Sequence, residues 1–329
     1  MSNLNDEIFE NLIASGPRAG WLKKWLLEKI WTIERYRALS PLQYLNDGES
    51  KVNELEEIIS SAAYRLYDEF LGEVPHDRDV SEIIEGGDPF AIVIFDGLSL
   101  REIPVLLNLA QTSGFIVQET GASYSALPTE TTDFIEHRLK FGNIAPSQLP
   151  KRKGLREKGI AGYYYDNPNQ QHLLENDSKG VLLWSAFPDN TYSDSGARFP
   201  QHFEQIHKLL ETVWLNTIQQ IPRGRKILVT SDHGYVYFGP GLSFARSNTE
   251  LRPLSEYLGG ERYRRLSDEG KQPPDHPDLV VFPSRKVAVL RGRIQTHPPG
   301  KAASRLYKHG GLSIMEILTP WVVLEREEE

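Results

Sequence analysis

Asp232 and His233 stand side by side in Ser231-Asp-His-Gly234, at the end of the run Lys226-Ile-Leu-Val-Thr230, which is apolar at its centre. A carboxylate beside an imidazole suits a divalent ion, since both are hard or borderline donors. Alone, the pair reads equally well as the cap of a turn. Asp96-Gly97 follows a second apolar run, Phe90-Ala-Ile-Val-Ile-Phe95. Asp189 follows a third, Gly180-Val-Leu-Leu-Trp-Ser-Ala186, with Asp194 five residues further on. His309 opens His-Gly-Gly-Leu-Ser-Ile-Met-Glu316. Carboxylates and histidines at that many element ends are the donor pattern of a two-metal site, in which paired divalent ions clamp the attacking and leaving oxygens of a phosphoryl displacement. Pro128-Thr-Glu-Thr-Thr132 adds hydroxyls. A threonine there can be a helix N-cap or, with a metal lowering its pKa, a nucleophile. The chain has no cysteine, which excludes disulfides, thiolate ligands and a thiol nucleophile, so a metal must draw on Asp, Glu and the nine histidines.

These residues need a scaffold that brings strand ends together. The three apolar runs read as strands buried on both faces, as in a parallel sheet. Ile116-Val-Gln-Glu119 reads as another strand. Helical periodicity over Leu98–Ala110 and Arg198–Gln220 alternates with them, which predicts a doubly wound α/β fold with ligands at the carboxyl ends of the strands. Residues 1–87 read as a small helical N-terminal region, from Ile8 with Leu12, from Trp21, Trp25, Leu26, Ile30 and Ile33, and from Leu55, Ile58, Ala62, Leu66 and Phe70. Gly86-Gly87 marks its boundary with a domain over 88–329. Within that domain, residues 137–176, with the run Tyr163-Tyr-Tyr165, read as a basic insertion capping the sheet. Residues 239–305 read as a second, β-rich excursion. Ser313 and Glu316 stand at capping-box spacing at the start of a last helix.

With 39% hydrophobic and 25% charged residues in 329, the composition is that of a globular protein. A net charge of −8 argues against wholesale nucleic-acid coating, yet the charge is uneven. No acid occurs between Leu279 and Met315, where Arg285, Lys286, Arg291, Arg293, Lys301, Arg305 and Lys308 lie. Arg138, Lys140, Lys151, Arg152, Lys153, Arg156 and Lys158 form another basic segment. Such patches can focus an anionic substrate on an acidic protein. No apolar run reaches membrane-spanning length and the N-terminus lacks the regions of a signal peptide, which together lead us to expect a cytoplasmic protein with no membrane partner.

Asp96-Gly97, Ser231-Asp-His-Gly234 and His309-Gly-Gly-Leu-Ser-x-x-Glu316, in that order, resemble a PglZ domain, a branch of the alkaline phosphatase superfamily, over residues from about 88 to 329. The resemblance implies an alkaline-phosphatase-like fold and a metal-dependent hydrolase of phosphoric esters. It implies that Asp96, the nucleophilic threonine, Asp232 and His233 surround one zinc-like ion, and that Asp189, His309 and a further ligand surround a second. Zn2+ is the expected metal, one or two ions, with Mn2+ or another divalent ion as the alternative. Within Pro-Thr-x-Thr the nucleophile is Thr131, with Thr129 in reserve. Four residues beyond Asp189, where the superfamily commonly has a histidine, this chain has Ser193, so either Asp194 is the substitute ligand or the second site is weak; His172 and His276 are the remaining sources. The basic segments and tyrosines favour a phosphodiester, a nucleotide or short single-stranded nucleic acid stacking on aromatic rings. A phosphomonoesterase on the same site and a non-catalytic, metal-stabilised module of an anti-phage defence complex are the alternatives. A sulfatase is disfavoured, since its Cys- or Ser-derived nucleophile motif is absent. The N-terminal helices offer a surface for a protein partner.

Overall fold

Apolar, β-branched and aromatic residues make the strands. The computed structural model describes residues 18–62, 65–73, 78–267, 270–297 and 305–326, so Ile8, Leu12 and Lys301 lie outside it. The large strands are β1 (Phe90–Phe95), β2 (Phe115–Tyr124), β3 (Ile160–Tyr165), β4 (Gly180–Ser185) and β5 (Lys226–Ser231). Short strands follow: β6 (Val236–Tyr237), β7 (Tyr263–Arg265), β8 (Leu279–Phe282), β9 (Val287–Leu290) and β10 (Tyr307–Lys308). The last strand is β11 (Leu318–Arg326). Six form one mainly parallel sheet in the order β2-β11-β5-β1-β4-β3, with β11 antiparallel to both neighbours. Helices cover it, and every residue of β1 and β4 is buried.

Register decides where the chemistry sits. Phe95 lies opposite Ser185 on one side and Ser231 on the other, so β1, β4 and β5 end in one row. Asp96 and Asp232 are each one step beyond that row. The expected insertion at 137–176 needs correction: Ile160–Tyr165 is the sixth strand of the sheet, parallel to β4. Aromatic and β-branched residues suit a half-buried pleated edge, and Tyr165 is buried while Tyr163 and Tyr164 are partly so. The 239–305 excursion contains a separate three-stranded antiparallel sheet, β7-β9-β8. The capping box expected at Ser313 is absent. Ser313 makes no side-chain cap, because Glu316 turns instead to the Arg262 guanidinium at 2.6 and 2.8 Å and to Gly311 N at 2.9 Å. A paired, buried charge outcompetes a cap here.

Helices Arg18–Trp25, Ile33–Ala38, Pro41–Ala62, Arg65–Glu73 and Val80–Glu85 account for the described part of the N-terminal region. Leu22, Leu26, Leu45, Val52, Leu55, Ile59, Leu66 and Phe70 are buried in one continuous core with residues of β1, β2 and β5. Among the described residues no helix is long and apolar enough to cross a membrane.

Glu56, on the Pro41–Ala62 helix, is wholly buried and accepts hydrogen bonds from Tyr67 Oη at 3.0 Å and Ile314 N at 2.9 Å. Burial pushes its carboxyl up from 4.5 to about 7, against the pull of Arg293. The folded protein therefore keeps a proton that the unfolded chain has already lost. Stability from this group is complete below about 4.5 and declines as pH rises to about 7. Glu56→Gln retains the acceptor oxygen without the titration. Its unfolding free energy from urea denaturation should gain on that of the wild type across that window, by at most about 3 kcal/mol. Parallel pH profiles for the two proteins would show that Glu56 does not titrate in this range.

Candidate metal centre and nucleophile

The row of strand ends is tied together before any side chain acts. Asp96 N donates to Ser185 O at 2.8 Å and Asp189 N to Asp96 O at 3.0 Å. Ser231 Oγ lies 2.7 Å from Phe95 O and accepts from Leu98 N at 3.0 Å. Gly97 has φ +69°, and a Cβ there would stand 2.5 Å from Tyr307 Oη and 3.0 Å from Asp189 Cβ, so only glycine lets the chain turn there. Gly234 faces a similar limit, since a Cβ would lie 2.2 Å from Met315 O.

Asp232 is fully buried. Its Oδ1 accepts from Gly97 N at 3.1 Å and His233 N at 3.0 Å, while Oδ2 accepts from the Thr131 hydroxyl at 2.6 Å. Thr131 Oγ1 is also 3.5 Å from Asp96 Oδ1. His233 Nδ1 faces Gly234 O at 3.0 Å, which fixes the proton on Nδ1 and leaves a lone pair on Nε2. That Nε2 is buried without a hydrogen-bond partner, 3.5 Å from Asp96 Oδ1 and 3.6 Å from Asp232 Oδ2. Across the site, His309 stacks on His233 with centroids 4.0 Å apart. Its Nε2 is 3.8 Å from Asp189 Oδ1, and its Nδ1 lies 3.1 Å from both Glu130 Oε1 and Thr129 O.

Two sets of donor atoms converge within 4.8 Å, Asp96-Asp232-His233 and Asp189-His233-His309. Burial and the carboxylates of Asp232 and Asp189 push Asp96 well above its ordinary range. Burial disfavours charge on His309, but Glu130 and Asp189 outweigh it and hold the imidazole pKa well up. Carboxylates crowded around an unpartnered imidazole nitrogen suit a cation, and the oxygen and nitrogen donors fit zinc or manganese. The residues present fit a divalent ion.

The structure thus brings Asp96, Thr131, Asp189, Asp232, His233 and His309 together. Thr129 is also close, but its buried hydroxyl donates to Gly311 O at 3.1 Å and accepts from Gly310 N at 2.8 Å, facing away from the carboxylates. Asp194 is exposed just after the Asp189–Ser193 helix and joins neither donor set among the described residues. Ser193 Oγ is spent on Asp189 O at 2.9 Å. His172 bonds Gln170 and Tyr164 O, and His276 accepts from Asp278 N, so neither faces the centre. Much of the basic segments is engaged elsewhere: Arg293 pairs with Glu49, Lys308 bonds Thr296 O and Gly260 O, and Arg291 bonds Pro277 O. Arg285 donates to Leu127 O at 3.2 Å, beside the loop over 128–131. Arg265, outside both segments, pairs with Asp133 Oδ2 at 2.5 Å on the helix that Thr131 begins, and is 48% exposed. Glu130 and Tyr307 were not legible as site residues, though one lies within Pro-Thr-Glu-Thr and the other two residues before His309.

No family model and no curated protein matches the chain. Among solved structures it is similar to murine ectonucleotide pyrophosphatase/phosphodiesterase 5, at 14% identity and a TM-score of 0.45, over 72% of this chain and 88% of that one. The human protein of that name is similar at 13% identity and a TM-score of 0.43, over 72% and 87%. Phosphonoacetate hydrolase from Sinorhizobium meliloti 1021 is similar at 12% identity and a TM-score of 0.39, over 72% and 89%.

Proposed function

We propose that this chain is a metal-dependent phosphoesterase that cleaves a phosphodiester with Thr131 as nucleophile. The observation that carries the reading is the Thr131 hydroxyl, 2.6 Å from Asp232 Oδ2 at the edge of a donor cluster whose His233 Nε2 has no partner. Asp96, Asp232 and His233 would hold one zinc ion and Asp189 with His309 a second, supplying Lewis-acid polarisation of the phosphoryl group and a lowered pKa for the attacking hydroxyl. Thr131 Oγ1 attacks phosphorus, its proton drawn along the hydrogen bond to Asp232 Oδ2. The ester bond breaks, the alcohol leaves with that proton, and a phosphothreonine diester remains. Water then attacks the same phosphorus, releasing the monoester product and returning a proton to Thr131. Arg265 and Arg285 flank the nucleophile's helix and loop, where guanidinium groups can meet phosphate oxygens. A nucleotide or a short single strand is the substrate class we favour, and the resemblance to PglZ domains supports a place in an anti-phage defence system.

Metal content of the purified protein, with hydrolysis of p-nitrophenyl monoester and diester substrates, tests this reading. Bound zinc with preferential diester cleavage is expected. Cleavage of the monoester alone would replace diesterase by monoesterase. Bound metal without either activity would make the centre structural, and a protein that takes up no metal would remove the proposal altogether.

A further inference from the structure

The two halves of the donor cluster are built differently. Asp232 and His233 are fixed chiefly by main chain: Gly97 N and His233 N hold Asp232 Oδ1, and Gly234 O holds His233 Nδ1. The carboxylate of Asp189 is held by a side chain, and the ring of His309 by a side chain beside one main-chain carbonyl. Tyr307 Oη donates to Asp189 Oδ1 at 2.5 Å, and Glu130 Oε1 lies 3.1 Å from His309 Nδ1, sharing that proton with Thr129 O. A hydrogen bond at Nδ1 keeps His309 Nε2 as the ligating atom and sets the angle of the ring. The Tyr307 phenol leaves Asp189 Oδ2 and one lone pair of Oδ1 to face a cation.

Two glycines make room for these supports. A Cβ on Gly97 would stand 2.5 Å from Tyr307 Oη, and one on Gly310, at φ +102°, would stand 2.6 Å from Tyr263 Cδ1 and 2.9 Å from Glu130 Oε1. The glycines of Asp96-Gly97 and His309-Gly310 therefore admit the phenol and the carboxylate, quite apart from the turns they permit. Tyr307 is buried among Tyr192, Phe199 and Tyr235, so its hydroxyl has little freedom to point elsewhere.

We infer that Glu130 and Tyr307 are positioning residues for the Asp189–His309 half of the site, and that an ion held there depends on them while an ion at Asp96-Asp232-His233 does not. This inference rests on the metal-dependent reading given above. Its test is stepwise zinc binding to the full chain by calorimetry, with metal content after dialysis, for the wild type, Glu130→Ala, Glu130→Gln and Tyr307→Phe. Tyr307→Phe keeps the ring in its aromatic packing and removes only the hydroxyl. The wild type should bind two ions. Glu130→Ala and Tyr307→Phe should each weaken one of them about 10–100-fold and leave the other unchanged. Glu130→Gln, which keeps an acceptor for Nδ1, should restore part of the loss. Equal weakening of both ions would mean general structural damage and would overturn the inference. So would wild-type affinity for both ions in both variants, or a wild type with a single ion that neither variant disturbs. A wild type without any ion would overturn the metal-dependent reading and this inference with it.

Discussion

Thr131→Ala should abolish phosphoester hydrolysis, with a loss on the order of 10⁴-fold or more, while leaving fold and metal content near those of the wild type. Thr131 is the first residue of its helix, and neither its hydroxyl nor Glu130 at the N-cap makes a side-chain cap, so removing Oγ1 breaks no cap. The loss is a single hydroxyl in contact with Asp232 and Asp96, a partly buried group whose removal leaves no large cavity. Thr129→Ala should behave in the opposite way. Its hydroxyl bridges the Gly310 N–H and the Gly311 carbonyl, both buried, and leaving them unsatisfied costs roughly 1–3 kcal/mol. Because His309 precedes those glycines, Thr129→Ala should weaken activity through the His309 loop and lower the urea midpoint together. Initial rates and urea melts of the two variants separate the cases. An inactive Thr129→Ala beside an active Thr131→Ala would transfer the nucleophile to Thr129.

The residues that were legible in the sequence are those whose chemistry is unusual for where they stand. Carboxylates just past buried apolar runs are costly unless they have a partner, and Asp96, Asp189 and Asp232 all stood out for that reason. The strands themselves were legible because β1, most of β4 and the centre of β5 (Ile227-Leu-Val229) are buried on both faces and therefore apolar. β3 was not, since an edge strand tolerates Gly162 and three tyrosines and so reads like a loop. The supports were hidden for another reason. Glu130 and Tyr307 reach their partners across 179 and 118 positions of chain, from His309 back to Glu130 and from Tyr307 back to Asp189, and no local spacing encodes such contacts. The Arg262–Glu316 pair shows the converse: capping-box spacing is a local signal, and a guanidinium from 54 residues away overrode it. The helix expected over 198–220 likewise became two, Phe199–Glu204 and Ile206–Asn216, with Pro200 in the first turn of the former.

Glu49→Gln should cost roughly 3–5 kcal/mol of stability, the range for removing one partner of a buried charge network. Glu49 lies on the Pro41–Ala62 helix and is fully buried, with Oε1 2.5 Å from Arg101 Nε and Oε2 2.6 Å from Arg293 Nη2. Burial pushes its carboxyl up, but the two guanidinium groups outweigh that and hold it below its ordinary value. Its contribution is therefore present above the ordinary carboxylate pKa and is lost in acid, opposite in sign to that of Glu56 two turns along the same helix. An amide at position 49 offers one acceptor and no charge to two buried cations. Replacing all three groups by apolar residues, often neutral for a buried ion pair, should not restore stability here. Arg101 also donates to Tyr235 O and Arg293 to Tyr237 O, and those buried carbonyls would lose their partners. Urea denaturation of metal-free protein measures both effects, and a loss below about 1 kcal/mol for Glu49→Gln would put the network in the solvated class of ion pairs. The same network bears on the N-terminal helices. Without Glu49, Arg101 beside the Asp96 turn and Arg293 in the excursion lose the carboxylate they share, so a chain beginning at residue 88 should fail to fold. We propose that these helices complete the core on which the metal centre is built, which leaves only their outer faces for any protein partner.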